Sequence, residues 1–260
     1  MGKPNLVMIP GTFSAENFFK NYVEFFSPDY NCIPITLPFH NIKRGNSANP
    51  NLKALAGFGL NDYLANIIAN TPELNFSEST FAIGFSMGGV ITLKLAQLGS
   101  VKAVVLISSA APAGINAVTY SSLRSFKSTL TTPFFWNKAI CPPNWEEALY
   151  AALSRLSPTE QYLFFDNFVW ESGKAIAQLG FPQFDRTHAT YISEQLVQCQ
   201  MLVVGGRFDN ITPIQIQDKI ARRFKASFLN VPRGHLVCHE NGWQKDARQI
   251  KAFLDSRPTA

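Results

Sequence analysis

Gly84-Phe85-Ser86-Met87-Gly88 is a G-x-S-x-G string set between an apolar run, 80–83, and a helix-like run, 90–98. That context predicts a strand delivering Ser86 into a tight turn, with a helix leaving immediately behind it, the layout of a nucleophile elbow. Such a turn strains the serine backbone and brings neighbouring chain close. Glycine at 84 and 88 removes the Cβ atoms that would clash. The hydroxyl then stands exposed over a helix N-terminus, which favours developing negative charge. Gly and Ser are common, so the string arises by chance in roughly one chain in ten of this length. The competing reading is a strand–helix turn with a capping serine. The two separate on whether a base, an acid and oxyanion donors occur where an elbow needs them.

Six apolar runs recur along the chain: 6–10, 31–37, 80–85, 101–108, 200–204 and 227–231. They are near-continuous and rich in aliphatic residues, as strands buried on both faces of a parallel sheet are. Helical patterns at 60–68, 90–98 and 241–254 alternate with them. Thr212-Pro213-Ile214-Gln215 opens another helix, with Thr as cap and Pro at the first helical position. Strands alternating with helices predict an α/β fold, a mostly parallel doubly wound sheet with right-handed crossovers.

The alternation breaks between about Pro112 and Val197, too long a stretch for a loop. Asn144-Trp145-Glu146-Glu147 and Ser157-Pro158-Thr159-Glu160 read as capping boxes inside it. The expected organisation is therefore a core of 1–111 and 198–260, with a helical cap, or lid, inserted at 112–197. The cap is rich in aromatics. Phe134, Trp136 and Phe168, together with Phe13 from the core, are the expected lining of an apolar substrate pocket.

Composition narrows the function classes. The chain has 260 residues, 46% hydrophobic and 16% charged, enough for one large domain with a sizeable core. The net charge of +5 is modest and the basic residues are scattered, apart from Arg222, Arg223 and Lys225 near an expected helix end. A nucleic-acid partner is not expected, because no basic stripe with interleaved aromatics occurs. Cys32, Cys141, Cys199 and Cys238 form no C-x-x-C pair, which suits reduced thiols in a cytoplasmic protein. No run has transmembrane length, and the N-terminus lacks a signal-peptide layout. No cofactor is expected.

A serine needs a positioned base. His235 follows the last predicted strand, at the carboxyl edge where ligands bind in such sheets. His40 and His239 are its competitors. Asp209 ends the loop after the preceding strand, 26 residues before His235, and suits the acid that orients an imidazole. A plain turn aspartate beside Asn210 is the alternative. The oxyanion donors expected are the N–H groups of Met87 and of Thr12, in the loop after the first strand, with Phe13 as a substitute for Thr12. His235 and His239 stand at i, i+4, a zinc spacing, but the glutamate that should follow the first histidine is absent and no metal is expected.

Together these pieces resemble the α/β-hydrolase superfamily with an inserted helical cap, along essentially the whole chain. Pro10-Gly11-Thr12 occupies the place of the family's His-Gly-x oxyanion segment, with Pro10 for the His. Leu37-Pro38-Phe39-His40 looks like its L-R-x-H segment, and Phe85 stands where His is common in the elbow. The stretch 203–213 looks like its V-x-G-x-x-D-x-x-x-P acid loop, with Asp209 and Pro213 matching. Gly234-His235 matches the G-H of the histidine loop. The chain order Ser…Asp…His then implies Ser86, Asp209 and His235 as a triad. Trp170-Glu171-Ser172-Gly173 and Ala111-Pro112-Ala113-Gly114 look like a lysophospholipase-like branch.

The resemblance implies a serine hydrolase cleaving a small-molecule carboxylic ester with an apolar acyl group through an acyl-enzyme. A thioesterase, an amidase or a non-hydrolytic lyase on the same fold are the alternatives, since fold does not fix chemistry. A non-catalytic binding module is a further one, although such a module would usually have lost a triad member.

Overall fold

The computed structural model describes residues 2–75 and 77–256. Among the described residues there are eight strands: β1 Asn5–Ile9, β2 Asn31–Pro34, β3 Thr80–Phe85, β4 Ala103–Ile107, β5 Ala139–Ile140, β6 Glu171–Ser172, β7 Gln200–Gly206 and β8 Ser227–Val231. The helices are α1 Lys20–Phe26, α2 Leu52–Gly57, α3 Leu60–Asn70, α4 Met87–Gln97, α5 Tyr120–Ser125, α6 Lys127–Thr131, α7 Trp145–Ala148, α8 Pro158–Asn167, α9 Gly173–Gly180, α10 Ile214–Arg223 and α11 Trp243–Asp255. Each of the six expected strands forms, and all six pair in one sheet of order β2-β1-β3-β4-β7-β8, parallel throughout.

Side chains alternate across this sheet, and both faces are covered. Val7, Ile9, Ala82, Val104 and Val203 pack on one side, largely against α4, while Leu6, Met8, Phe81, Ile83, Val105 and Val204 pack on the other. Burial on two faces is the reason the strands read as unbroken apolar runs. The chain leaves β1 outward to β2 and returns on the other side of β1 as β3. The strand order therefore reverses between β1 and β3, and a crevice opens beyond their carboxyl ends, where ligands bind in open α/β sheets.

Between β4 and β7 the chain forms α5 to α9 and the small antiparallel pair β5–β6. This insertion returns to the core at several points. Val169 N–H donates to Phe13 O, Trp170 N–H donates to Ile42 O, and Lys43 and Val169 form an isolated bridge. The Ser157 capping box closes as expected, with Glu160 reaching back to Ser157 N–H. The Asn144 box forms only in half. Asn144 caps Glu147 N–H, but the Glu147 carboxylate accepts from Ser128 N–H instead. Arg223, at the end of α10, is engaged by Glu194 at 2.7 Å and by Ala113 O, so this cation pins the two ends of the insertion. Among the described residues, no helix is long and apolar enough to cross a membrane.

Candidate functional site

The carboxyl edge of the sheet collects backbone strain. Phe13, Phe39, Ser86 and Ser108, which follow β1, β2, β3 and β4, all have positive φ. Ser86 has φ 52° and ψ −118°, a conformation costing on the order of 1–3 kcal/mol and concentrated at functional sites. Its own main chain anchors it there. Ser86 N–H donates to Ile107 O at 3.0 Å, and Ser86 O accepts from Gly89 N–H and Ala110 N–H, both at 2.9 Å. Close packing accounts for the elbow glycines. A Cβ at Gly84 would collide with Thr92 Oγ1 and Gly88 O, and one at Gly88 with Ile9 O. Met87 opens α4, so its N–H has no intrahelical acceptor. The loop after β1 lies directly on the elbow, since a Cβ at Gly11 would come within 2.7 Å of Ser86 Cβ.

Asp209 and His235 meet in the loops after β7 and β8. Asp209 Oδ2 accepts from His235 Nδ1 at 2.8 Å and from Thr212 Oγ1 at 2.8 Å. Oδ1 accepts from the N–H groups of Ile211 and Thr212 at 2.8 and 2.9 Å. Burial alone would raise the Asp209 pKa, but His235 and the Thr212 hydrogen bonds outweigh it and hold the carboxyl below its usual range. With Nδ1–H donated to a carboxylate, the neutral imidazole carries its lone pair on Nε2. The Phe85 ring lies 4.9 Å from that imidazole. No hydrogen bond joins Ser86 Oγ to His235 among the described residues.

The histidine loop is itself anchored. Gly234 N–H donates to both oxygens of buried Glu240, at 2.8 and 2.7 Å, and Arg155 approaches the same carboxylate at 3.4 Å. The other two candidate bases lie elsewhere. His40 Nδ1 bonds Ser14 O at 3.0 Å and its Nε2 lies 3.2 Å from Glu171, both side chains fully buried. The His239 ring is held edge-on between Phe18 and Phe164, each at 4.7 Å. His235 and His239 thus face different partners, unlike a ligand pair at zinc spacing.

A cavity of about 110 Å³ opens against Ser86 and Thr12. Its remaining wall is mostly apolar, with Phe126, Leu130, Ile176, Leu179 and Phe181 supplied by the insertion. The expected pocket aromatics lie elsewhere. Phe13 is buried in a small cluster with Phe135 and Ile140. Phe134 is 65% exposed. Trp136 borders a separate outer groove, and Phe168 a third cavity beside His239. Aromatic content marked the insertion but not which of its faces turns toward Ser86. Sequence reasoning also missed Thr212, read as a helix cap. Helix α10 starts at Ile214 without a side-chain cap, and Thr212 Oγ1 bonds Asp209 and Ser108 O instead. An Asp three residues before a Thr was the available signal.

Comparison with curated proteins gives no match. Similar solved structures span nearly the whole chain. A pyrethroid hydrolase from Sphingobium faniae JZ-2 has TM-score 0.63 at 14% identity, covering 98% of each chain. Polyneuridine aldehyde esterase has TM-score 0.67 at 12% identity, covering 96% of this chain and 100% of its own. Tomato methylketone synthase I, complexed with 2-tridecanone, has TM-score 0.67 at 12% identity, covering 99% and 100%. At such identities these likenesses establish the fold. A family model described as "Alpha/beta hydrolase family" matches residues 6–244, and the chain belongs to that family.

Proposed function

We propose that the protein is a serine esterase, cleaving a carboxylic ester with a hydrophobic acyl group. The observation that carries this reading is the 2.8 Å Asp209–His235 bond, set at the same sheet edge as the strained Ser86. The residues 112–197 act as its cap, and the apolar cavity beside Ser86 receives the acyl chain. A single-chain ester of the lysophospholipid type is within this class. The names of a pyrethroid hydrolase and an esterase of the same fold are compatible with ester chemistry.

In this mechanism Ser86 Oγ attacks the acyl carbonyl while His235 Nε2 takes its proton. Asp209 holds Nδ1–H and stabilises the imidazolium. The N–H groups of Met87 and Thr12 bind the oxyanion of the tetrahedral intermediate. His235 gives its proton to the departing alkoxide, leaving an acyl-enzyme. Water, deprotonated by His235, then attacks the acyl carbon, and as the intermediate collapses His235 returns that proton to Ser86 Oγ and the acid is released.

Ser86→Ala removes the nucleophile, and kcat on p-nitrophenyl esters should fall on the order of a million-fold. A fluorophosphonate probe should label the parent protein and not the variant. Ester cleavage by Ser86→Ala at the parental rate would overturn the proposal.

A further inference from the structure

Two cavities meet at one residue of the insertion. The inner one, about 110 Å³, touches Ser86; the outer one, about 640 Å³, opens on the surface of the insertion. Helix α9 is the wall between them. Ile176 and Leu179 face the inner cavity, while Lys174, Ala177 and Gln178 face the outer, as helical periodicity requires. Phe181, just beyond the end of this wall, lines both.

The backbone of Phe181 is held. Its N–H donates to Ala177 O at 2.8 Å, and its O accepts from Phe184 N–H at 3.0 Å. Its side chain is half-buried at the edge of the cluster of Phe135, Ile140 and Ile176, with its ring 6.4 Å from that of Phe135. With the backbone held, the ring moves between the two cavities it lines by side-chain rotation. The outer groove is built for apolar matter, with Trp136 46% exposed and Phe184 79% exposed along it. Exposed aromatics gathered around a concavity mark a binding surface rather than scattered surface residues.

We propose that Phe181 is a chain-length gate: a short acyl group fills the inner cavity, and a long one displaces the Phe181 ring and runs on into the outer groove. This rests on the esterase reading of Ser86 and extends its substrates to esters of long, unbranched, apolar acids. The groove's rim carries Lys174 and Asp185, so the far end of the chain reaches a polar boundary.

The experiment compares p-nitrophenyl butyrate and dodecanoate on the parent, Phe181→Ala and Phe181→Trp. The expected result is a rise in the dodecanoate-to-butyrate ratio of kcat/KM on the order of tenfold in Phe181→Ala and a comparable fall in Phe181→Trp, the ratio being taken within each protein so that a change common to both esters cancels. Butyrate turnover with an unmoved ratio in both variants would overturn the gate and leave the esterase intact. Failure of every protein to cleave either ester would overturn the esterase reading. The gate is then judged by 1-dodecanol binding, followed by tryptophan fluorescence: affinity that rises in Phe181→Ala and falls in Phe181→Trp supports it, and equal affinity in all three overturns it. Matched circular dichroism spectra establish that the variants are folded.

Discussion

At the scale of single residues, Asp209 does the most with the least. Four donors converge on its two oxygens: two backbone N–H groups, one hydroxyl and one imidazole. Asp209→Asn keeps the shape and can keep the backbone bonds to its oxygen. Its amide would then present N–H toward His235 Nδ1, which must become the acceptor, so the imidazole proton moves to Nε2. That tautomer cannot take a proton from Ser86, and kcat should fall by roughly ten-thousand-fold with little change in KM. Steady-state kinetics across an ester series measure it, and an unchanged kcat would remove Asp209 from the mechanism. Ser86, Asp209 and His235 were legible because each lies in a loop directly after a strand, and strand ends can be counted along the chain. Thr212 was hidden because Thr before Pro reads equally well as a helix cap. His40 was ambiguous for a related reason. It too follows a strand, and its buried partner Glu171 lies far away in the sequence, beyond the reach of any local pattern.

At the scale of elements, that partner explains how the insertion is held over the sheet. Glu171 opens β6, inside the insertion. One of its oxygens accepts from Tyr63 Oη on α3 at 2.7 Å and from Ser172 N–H at 2.6 Å; the other lies 3.2 Å from His40, in the loop after β2. Burial, and then the neighbouring Glu171, raise the Tyr63 hydroxyl well above its ordinary pKa, so it remains a donor. A single carboxylate thus ties the insertion to two core elements in a site closed to water. Glu171→Ala strands an imidazole and a phenol without their partner, a loss of about 1–3 kcal/mol for each buried polar group left unsatisfied. Glu171→Gln can still accept from Tyr63 and should lose less. Urea unfolding of the three proteins gives the order parent, Gln, Ala. Limited proteolysis should cut the Ala variant first within 112–197, and cleavage elsewhere first would break the link between Glu171 and the seating of the insertion. The six sheet strands were legible because burial on two faces leaves a continuous apolar run. The insertion's attachments were not, because isolated bridges and a two-residue strand leave no period to read.

At the scale of the whole molecule, the way stability responds to acid follows from where histidine is buried. His239 lies between Phe18, in the segment after β1, and Phe164 on α8, so core and insertion close over it. Burial lowers its pKa from 6.5 to about 4, against opposing contributions from Glu160 and from the Phe18 backbone. Above pH 6.5 the imidazole is neutral both folded and unfolded and contributes no pH dependence. As the pH falls from 6.5 toward about 4, the unfolded chain takes up a proton that the folded protein does not, so stability declines by up to about 1.4 kcal/mol per pH unit and about 3 kcal/mol in all. Asp209 acts in a different window. Its pKa is depressed, so its contribution is complete above the ordinary carboxylate range and is lost only as the pH falls through its lower folded value. Glu240 has the opposite sign. Burial raises its pKa, so the folded state holds its proton longer, but this contribution is common to parent and variant and cancels between them. The comparison that isolates His239 is therefore urea unfolding of the parent and of His239→Gln at about pH 7 and about pH 5, below the imidazole's ordinary pKa and above that of the carboxylates. The parent should lose about 2 kcal/mol more than the variant over that interval. Equal losses would mean that the folded protein takes up the His239 proton as readily as the unfolded chain, and that core and insertion part around His239 before the molecule unfolds.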